Sequence, residues 1–159
     1  MVATSQPAIE ILNVSKRFGN LQANCQITFT LHKGEVLALL GENGSGKTTL
    51  MNILFGHYVA DQGEIRVNGN PLPKGSPSVA LQCGIGMVHQ HFTLGDNLSV
   101  IENVILGTES LYRPRQSLSK AKQRLSVLEK QFGLEVDADK LISDLSVGEK
   151  QRVEILIAL

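Results

Sequence analysis

Apolar and polar residues alternate through the first third of the chain and then change period. Ile9 to Val14 and Leu21 to Leu31, the latter with Ile27, Phe29 and Leu31 set between polar neighbours, follow a period of two that predicts half-buried antiparallel strands. Val36-Leu37-Ala38-Leu39-Leu40 is unbroken, which predicts a strand over Glu35 to Leu40 covered on both faces, the kind found at the centre of an α/β sheet. Lys47 to Phe55 predicts a helix stopped by Gly56, and Gly63 to Val67 a strand closed by the Asn68-Gly69 turn. Pro71, Pro73, Gly75 and Pro77 punctuate a loop before a short helix around Ser78 to Gln82, which Cys83-Gly84 stops; Ile85 to His89 returns to strand.

From Leu98 the period becomes helical, with Val100, Val104 and Ile105 at helical spacing, followed by a loop carrying Arg113-Pro114-Arg115. A second amphipathic stretch places Leu118, Ala121, Leu125, Leu128 and Phe132 on one face, with Ser117 as its expected N-cap and Gly133 as its stop. The layout is a mixed α/β core followed by an inserted helical subdomain. Ser146-x-x-Glu149 is a capping box opening a helix whose apolar residues, Val153, Ile155, Leu156, Ile157 and Leu159, are still running at the last position. With no cap, glycine or proline to close that helix, the expectation is a domain truncated at its C-terminal side.

Composition narrows the picture in three ways. An apolar fraction of 42% in 159 residues is enough for a real core. Lysine plus arginine balances aspartate plus glutamate at 15 each, so no overall field draws the chain to nucleic acid or to an anionic lipid surface, and a membrane role has to run through a partner protein. Cys25 and Cys83 fit no C-x-x-C spacing and lie in apolar surroundings, which predicts buried, reduced thiols. No stretch approaches the roughly 20 apolar residues that span a bilayer, and Met1 to Ala8 lacks a signal-peptide pattern. These signals point to a cytoplasmic chain.

The chemistry enters between the predicted central strand and the first helix. Gly41-Glu42-Asn43-Gly44-Ser45-Gly46-Lys47-Thr48 is a complete G-x-x-x-x-G-K-[ST] phosphate loop in the strand-to-helix context the motif demands. Its glycines let successive backbone N–H groups face an anion, to which the helix adds its positive N-terminal end. Lys47 supplies a mobile cation for the β and γ phosphates, and the Thr48 hydroxyl suits Mg²⁺. Leu145-Ser146-Val147-Gly148-Glu149 opens a second helix N-terminus that suits an anion. By themselves these five residues do not separate an anion site from an ordinary capping box.

A phosphate loop followed about 100 residues later by Leu145-Ser146-Val147-Gly148-Glu149, with a helical segment between, resembles the ATP-binding cassette (ABC) family of ATPases. The five residues depart from that family's LSGGQ signature at Val147 and Glu149, and they look like the LSVGE variant of simple-sugar and nucleoside importers. Gly86 to Phe92 and Leu98 to Gly107 are similar to the same group. The fold implied is that of a P-loop NTPase of ABC type, α/β, with a mixed sheet core, an antiparallel β subdomain and an inserted helical subdomain. Its divisions would be a nucleotide-binding core over 1–90, a Q-loop and helical subdomain over 91–145, and a signature helix over 146–159.

The resemblance further implies that ATP is held by Gly41 to Lys47, Thr48 and Thr49, and that the Leu145 to Glu149 segment closes over nucleotide. Phe18, otherwise core filler at a strand end, would stack on the adenine. Gln90 would be the Q-loop glutamine that meets Mg²⁺ and the attacking water, so that Lys47 and Gln90 form the catalytic pair and Thr48 and Gln90 the metal ligands. His89 and His91, which flank Gln90, suit a loop surface better than a metal site, and His57 suits a structural role. The implied partners are a second cassette, in the same or another chain, transmembrane permease subunits and, indirectly, a substrate-binding protein, with no nucleic acid. The implied place is the inner face of the cell membrane. The Walker B aspartate, catalytic glutamate, D-loop and switch histidine would lie beyond Leu159. A cassette that only binds nucleotide and an ABC-type DNA repair ATPase remain as alternatives, the latter disfavoured because no long heptad repeat or zinc-type cysteine set interrupts the chain.

Overall fold

The computed structural model describes residues 6–89, 92–106 and 114–159, the last stretch without the side chains of 114–117. The expected roles of Gln90 and His91 therefore fall outside the described residues. The chain divides into two compact units, one running to Gly86 and one from Met87 to Leu159.

The first unit is built on an antiparallel sheet. Strands β1 (Pro7–Phe18), β2 (Leu21–His32), β3 (Gln62–Val67) and β4 (Asn70–Pro71) lie in the order β2-β1-β3-β4. Helix α1 (Lys47–Phe55) packs Leu50 and Ile53 onto Ile11, Val14, Ala60 and Ile65 of this sheet region, which anchors the phosphate loop to a rigid base. Gly56 ends α1 in a left-handed conformation at φ 90°, as its position in the sequence predicts. Helix α2 (Pro77–Gln82) starts one residue earlier than predicted, because Ser76 caps it and Pro77 takes the first helical position. Its Ala80 packs with Val67 and Ile85.

Two β-bulges set which residues reach the core. Between the pairs Val14–Ile27 and Lys16–Asn24 the second strand contains one extra residue, and Gln26 takes a left-handed φ of 48° there while its N–H donates to Ser15 Oγ at 2.9 Å. The bulge resets the alternation: Asn24 turns inward to 5% exposure, and Cys25, which the apolar pattern places in the core, faces solvent. Cys83 is exposed as well, as it follows the last turn of α2. The expectation of buried thiols is thus corrected at both positions. The bulge in β1, with Asn13 at φ 52°, presses against β3: a Cβ on Gly63 would meet the carbonyls of Leu12 and Asn13, so only glycine fits.

Residues 35–40 and 85–89, predicted as strands, have no strand pairing among the described residues. A strand exists only as one side of a hydrogen-bonded pair, and neither segment joins the four-stranded sheet. Val36 and Leu40 stand 98% and 88% exposed.

The second unit is helical. Helices α3 (Val100–Ile105), α4 (Pro114–Phe132) and α5 (Val147–Ala158), with a 3-10 turn at Ile142–Asp144, enclose Val100, Ile101, Leu125, Ile142, Leu145, Val153 and Leu156. Helix α4 begins at Pro114, so Ser117 lies inside its first turn and is not the cap; proline at the first helical position has no N–H to leave unpaired. Along its apolar face Leu125 is buried, whereas Leu118 and Phe132 near the ends are exposed. Backbone bonds from Val100 N to Lys140 O (3.0 Å) and from Ile142 N to Leu98 O (3.0 Å) tie the segment before α5 to the start of α3.

Candidate functional site

The phosphate loop is shaped by glycine and braced by the strand behind it. Gly44 and Gly46 adopt φ of 84° and 88°, values that other residues reach only with strain. Gly46 is the N-cap of α1, and the helix has neither a side-chain cap nor an acidic residue in its first turn. Its leading N–H groups, free of intrahelical partners, and its positive end are therefore available to an anion. The Gly46 carbonyl accepts from Leu50 N at 2.9 Å and from Asn24 Nδ2 at 3.1 Å. A Cβ on Gly46 would fall on the Ala23 carbonyl oxygen and lie 2.8 Å from Asn24 Nδ2. The β2 backbone thus lies directly against Gly46 and leaves no room for a side chain there.

Lys47 folds back over this loop. Its Nζ donates to the carbonyls of Gly41 and Glu42, both at 2.7 Å, and to Ser45 Oγ at 3.2 Å, while Ser45 N donates to Glu42 O at 3.2 Å. The ammonium is held by neutral oxygens and has no carboxylate partner among the described residues. An approaching phosphate would meet an uncompensated cation. Thr48 is exposed on the first turn of α1, with Thr49 half-buried beside it. A glycine cradle, a cation, a hydroxyl and an acid-free helix start fit Mg-ATP by the chemistry of the donor set.

Phe18 lies in the same unit, at the end of β1. The residue is 42% exposed, its ring meets Tyr58 edge-on with centroids 5.4 Å apart at 73°, and Lys16 Nζ stands 5.3 Å from the ring centroid. Asp61 fixes this corner by accepting from Lys16 Nζ at 2.8 Å and from Arg17 N at 2.7 Å, and the Lys16 contact followed by the Arg17 amide holds its carboxyl below the usual range. Tyr58 and Lys16 thus fix the ring while the residue stays partly exposed. Sequence reasoning missed two supporting residues here. Tyr58, two residues past the glycine stop of α1, carried no periodic signal, and Asn24 became a loop brace only through the bulge at Gln26.

The Leu145 to Glu149 segment belongs to the second unit. Leu145 is buried in its core, Val147 is 65% exposed, and Gly148 has open space where a Cβ would go. Ser146 caps α5 in a reciprocal box: Glu149 N donates to Ser146 Oγ at 3.3 Å, while Ser146 N and Oγ both donate to Glu149 Oε2 at 2.7 Å. Lys140 Nζ adds a 3.2 Å contact to Oε1. The Ser146 hydroxyl first, then its amide and Lys140, lower the Glu149 pKa from 4.5 to about 2. The capping-box reading of these residues is thus present in the geometry, and Val147 and Gly148 stand exposed beside it on the first turn.

Among the described residues no group of three His, Cys, Asp or Glu side chains is placed to hold a metal ion, and no helix is long and apolar enough to cross a membrane.

Comparison with known proteins places these features. Residues 25–159 match the ABC transporter family. The chain is 48% identical over 155 residues to the nucleoside import ATP-binding protein NupA of Lactococcus lactis subsp. cremoris, covering 98% of this chain and 31% of the relative. It is 47% identical over 151 residues to the guanosine import ATP-binding protein NupO of Bacillus subtilis, covering 95% and 30%, and 41% identical over 156 residues to the ribose import ATP-binding protein RbsA of Caldanaerobacter subterraneus subsp. tengcongensis, covering 97% and 31%. The chain thus spans about a third of the length of these relatives. A solved nucleotide-free ATP-binding cassette from an ABC transporter superposes with a TM-score of 0.80 at 26% identity, covering 96% of this chain and 64% of that one. A second solved cassette gives 0.82 at 25% identity, covering 97% and 65%.

Proposed function

The chain belongs to the ABC transporter family, and from that premise we propose that it is part of the ATP-binding subunit of an importer that moves a nucleoside or a simple sugar. The observation that carries the reading is the phosphate loop, with glycines at φ 84° and 88°, an uncapped acid-free helix behind them and Lys47 free of any described carboxylate. Backbone N–H groups from Gly41 to Lys47 bind the phosphates, Lys47 neutralises the β and γ oxygens, and Thr49 completes the first turn. Phe18 offers its ring face to the adenine. Thr48 and Gln90 would hold Mg²⁺, which would supply charge neutralisation at the phosphates, and Gln90 would orient the attacking water.

Hydrolysis then needs two cassettes. The Leu145 to Glu149 segment of one closes over the ATP on the Lys47 loop of the other, and that closure drives the transmembrane permease subunits to which the cassettes dock on the inner face of the membrane, with substrate delivered by a binding protein. A nucleoside is the first candidate substrate because two relatives at 48% and 47% identity are nucleoside or guanosine import proteins; ribose follows from the relative at 41%. The 159-residue chain alone is proposed to bind ATP without turning it over. The test is ATP-driven uptake of labelled nucleosides and of simple sugars by vesicles carrying the full-length protein with its permease. Uptake of one class that disappears in Lys47→Ala supports the proposal, and equal uptake by wild type and variant refutes it.

A further inference from the structure

Asn24 on β2 is 5% exposed. Its Nδ2 donates to the Gly46 carbonyl at 3.1 Å, while its Oδ1 is buried and accepts from none of the described groups. A buried amide oxygen without a donor lowers stability, and an apolar side chain of similar shape would avoid that cost. The contribution of this side chain therefore lies in its contact with the phosphate loop. Its own backbone is pinned, since Gln22 Nε2 donates to the Asn24 carbonyl at 2.7 Å.

The contact falls on the peptide that opens α1. Gly46 is the N-cap, at φ 88° and ψ 3°, and glycine moves between left-handed and right-handed φ at little cost, so its own backbone does not hold the 46–47 peptide in one orientation. Two bonds on the Gly46 carbonyl do so: Leu50 N at 2.9 Å, within the helix, and Asn24 Nδ2, from the strand. A trans peptide is planar, with its N–H opposed to its C=O. Holding the Gly46 carbonyl toward Leu50 and Asn24 thus points the Lys47 N–H the other way, out of the N-terminal end of α1, where it has no intrahelical partner.

We propose that Asn24 is a positioning residue for phosphate binding, which through the Gly46 carbonyl aims the Lys47 N–H at the anion. The inference rests on the reading of the Lys47 loop as an ATP site given above. In Asn24→Ala the loop keeps its glycines, the Lys47 ammonium and the helix end, yet the 46–47 peptide is held by the Leu50 bond alone and spends part of its time turned away from the anion.

The experiment is equilibrium binding of ATP and of tripolyphosphate to the full-length protein in Mg²⁺, for wild type, Asn24→Ala and Asn24→Asp, with urea unfolding of each. Asn24→Ala is expected to weaken both ligands about three- to tenfold, the worth of one net hydrogen bond, and by the same factor, because the Phe18 corner is untouched. Asn24→Asp has the same shape but no donor, and it sets a carboxylate behind the loop, so its loss is expected to exceed that of Asn24→Ala. A purely structural part for Asn24 would lower the urea midpoint and leave the affinities of the folded protein at wild-type values. Wild-type affinity in either folded variant overturns the proposal, as does a loss confined to ATP or an Asp variant that binds more tightly than the Ala variant. If Asn24→Ala does not fold, the isosteric Asn24→Asp carries the test, and failure of both to fold makes Asn24 a fold residue and overturns the proposal too. A wild-type protein that binds neither ATP nor tripolyphosphate refutes the ATP-site reading itself, a result separable from all of these.

Discussion

Replacing Gly46 with alanine probes the brace behind the phosphate loop, and Gly44→Ala supplies the control. Both positions are left-handed, at φ 88° and 84°, so each alanine carries a backbone cost of about 1–2 kcal/mol. They differ in space. A Cβ at Gly44 meets nothing within 4 Å, whereas one at Gly46 falls on the Ala23 carbonyl and lies 2.8 Å from Asn24 Nδ2. The Ala23 oxygen is backbone of a paired strand and cannot rotate away, so Gly46→Ala adds an overpacking cost of about 1–3 kcal/mol. The totals are about 2–5 kcal/mol for Gly46→Ala against about 1–2 for Gly44→Ala. Urea unfolding followed by far-ultraviolet circular dichroism measures the difference, and at an m-value of about 1–3 kcal/mol/M the midpoint of Gly46→Ala should lie on the order of 1 M below that of Gly44→Ala. Equal midpoints would show that β2 does not constrain the loop.

Glu149, with its pKa lowered to about 2 by the Ser146 hydroxyl and amide and by Lys140, favours the folded state fully above its unfolded value near 4.5, and that contribution is lost as pH falls toward 2. A melting-temperature profile should therefore drop across that window in wild type and be flatter there in Ser146→Ala; identical profiles would contradict the capping-box account. Phe18→Ala should weaken ATP several-fold, from a stacking contribution of about 1 kcal/mol, while tripolyphosphate binding holds; equal losses in both titrations would make Phe18 a fold residue. Asn103→Ala leaves Gly95 N–H without its acceptor and should cost about 1–3 kcal/mol in denaturant unfolding, and a cost below about 0.5 kcal/mol would show that the loop repairs itself.

The parts of this site that the sequence made legible are those where residue type alone dictates geometry. The phosphate loop requires glycine at left-handed positions, and Gly44 and Gly46 occupy them; the Ser146 and Glu149 box needs only two side chains three residues apart, and it forms. Features that depend on distant pairing were harder to read. Val36 to Leu40 is apolar enough to suggest a covered strand, yet strand identity requires a hydrogen-bonded neighbour that the run itself cannot specify, and none of the described strands supplies one. The bulge at Gln26 inverted the inward set of β2, which moved Cys25 out and Asn24 in. Ser117 competed with Pro114 as the start of a helix, and the proline, pre-set for the first turn, prevailed.

The central claim is that the Lys47 loop binds the phosphates of ATP, and equilibrium titration of the purified protein with a fluorescent ATP analogue in Mg²⁺ tests it most directly, with Lys47→Ala alongside. Charge-assisted contacts to phosphate contribute about 1.5–3 kcal/mol, so the account predicts that the variant binds roughly one to two decades more weakly than wild type. A Lys47→Ala protein that remains folded and binds ATP as tightly as wild type would contradict it.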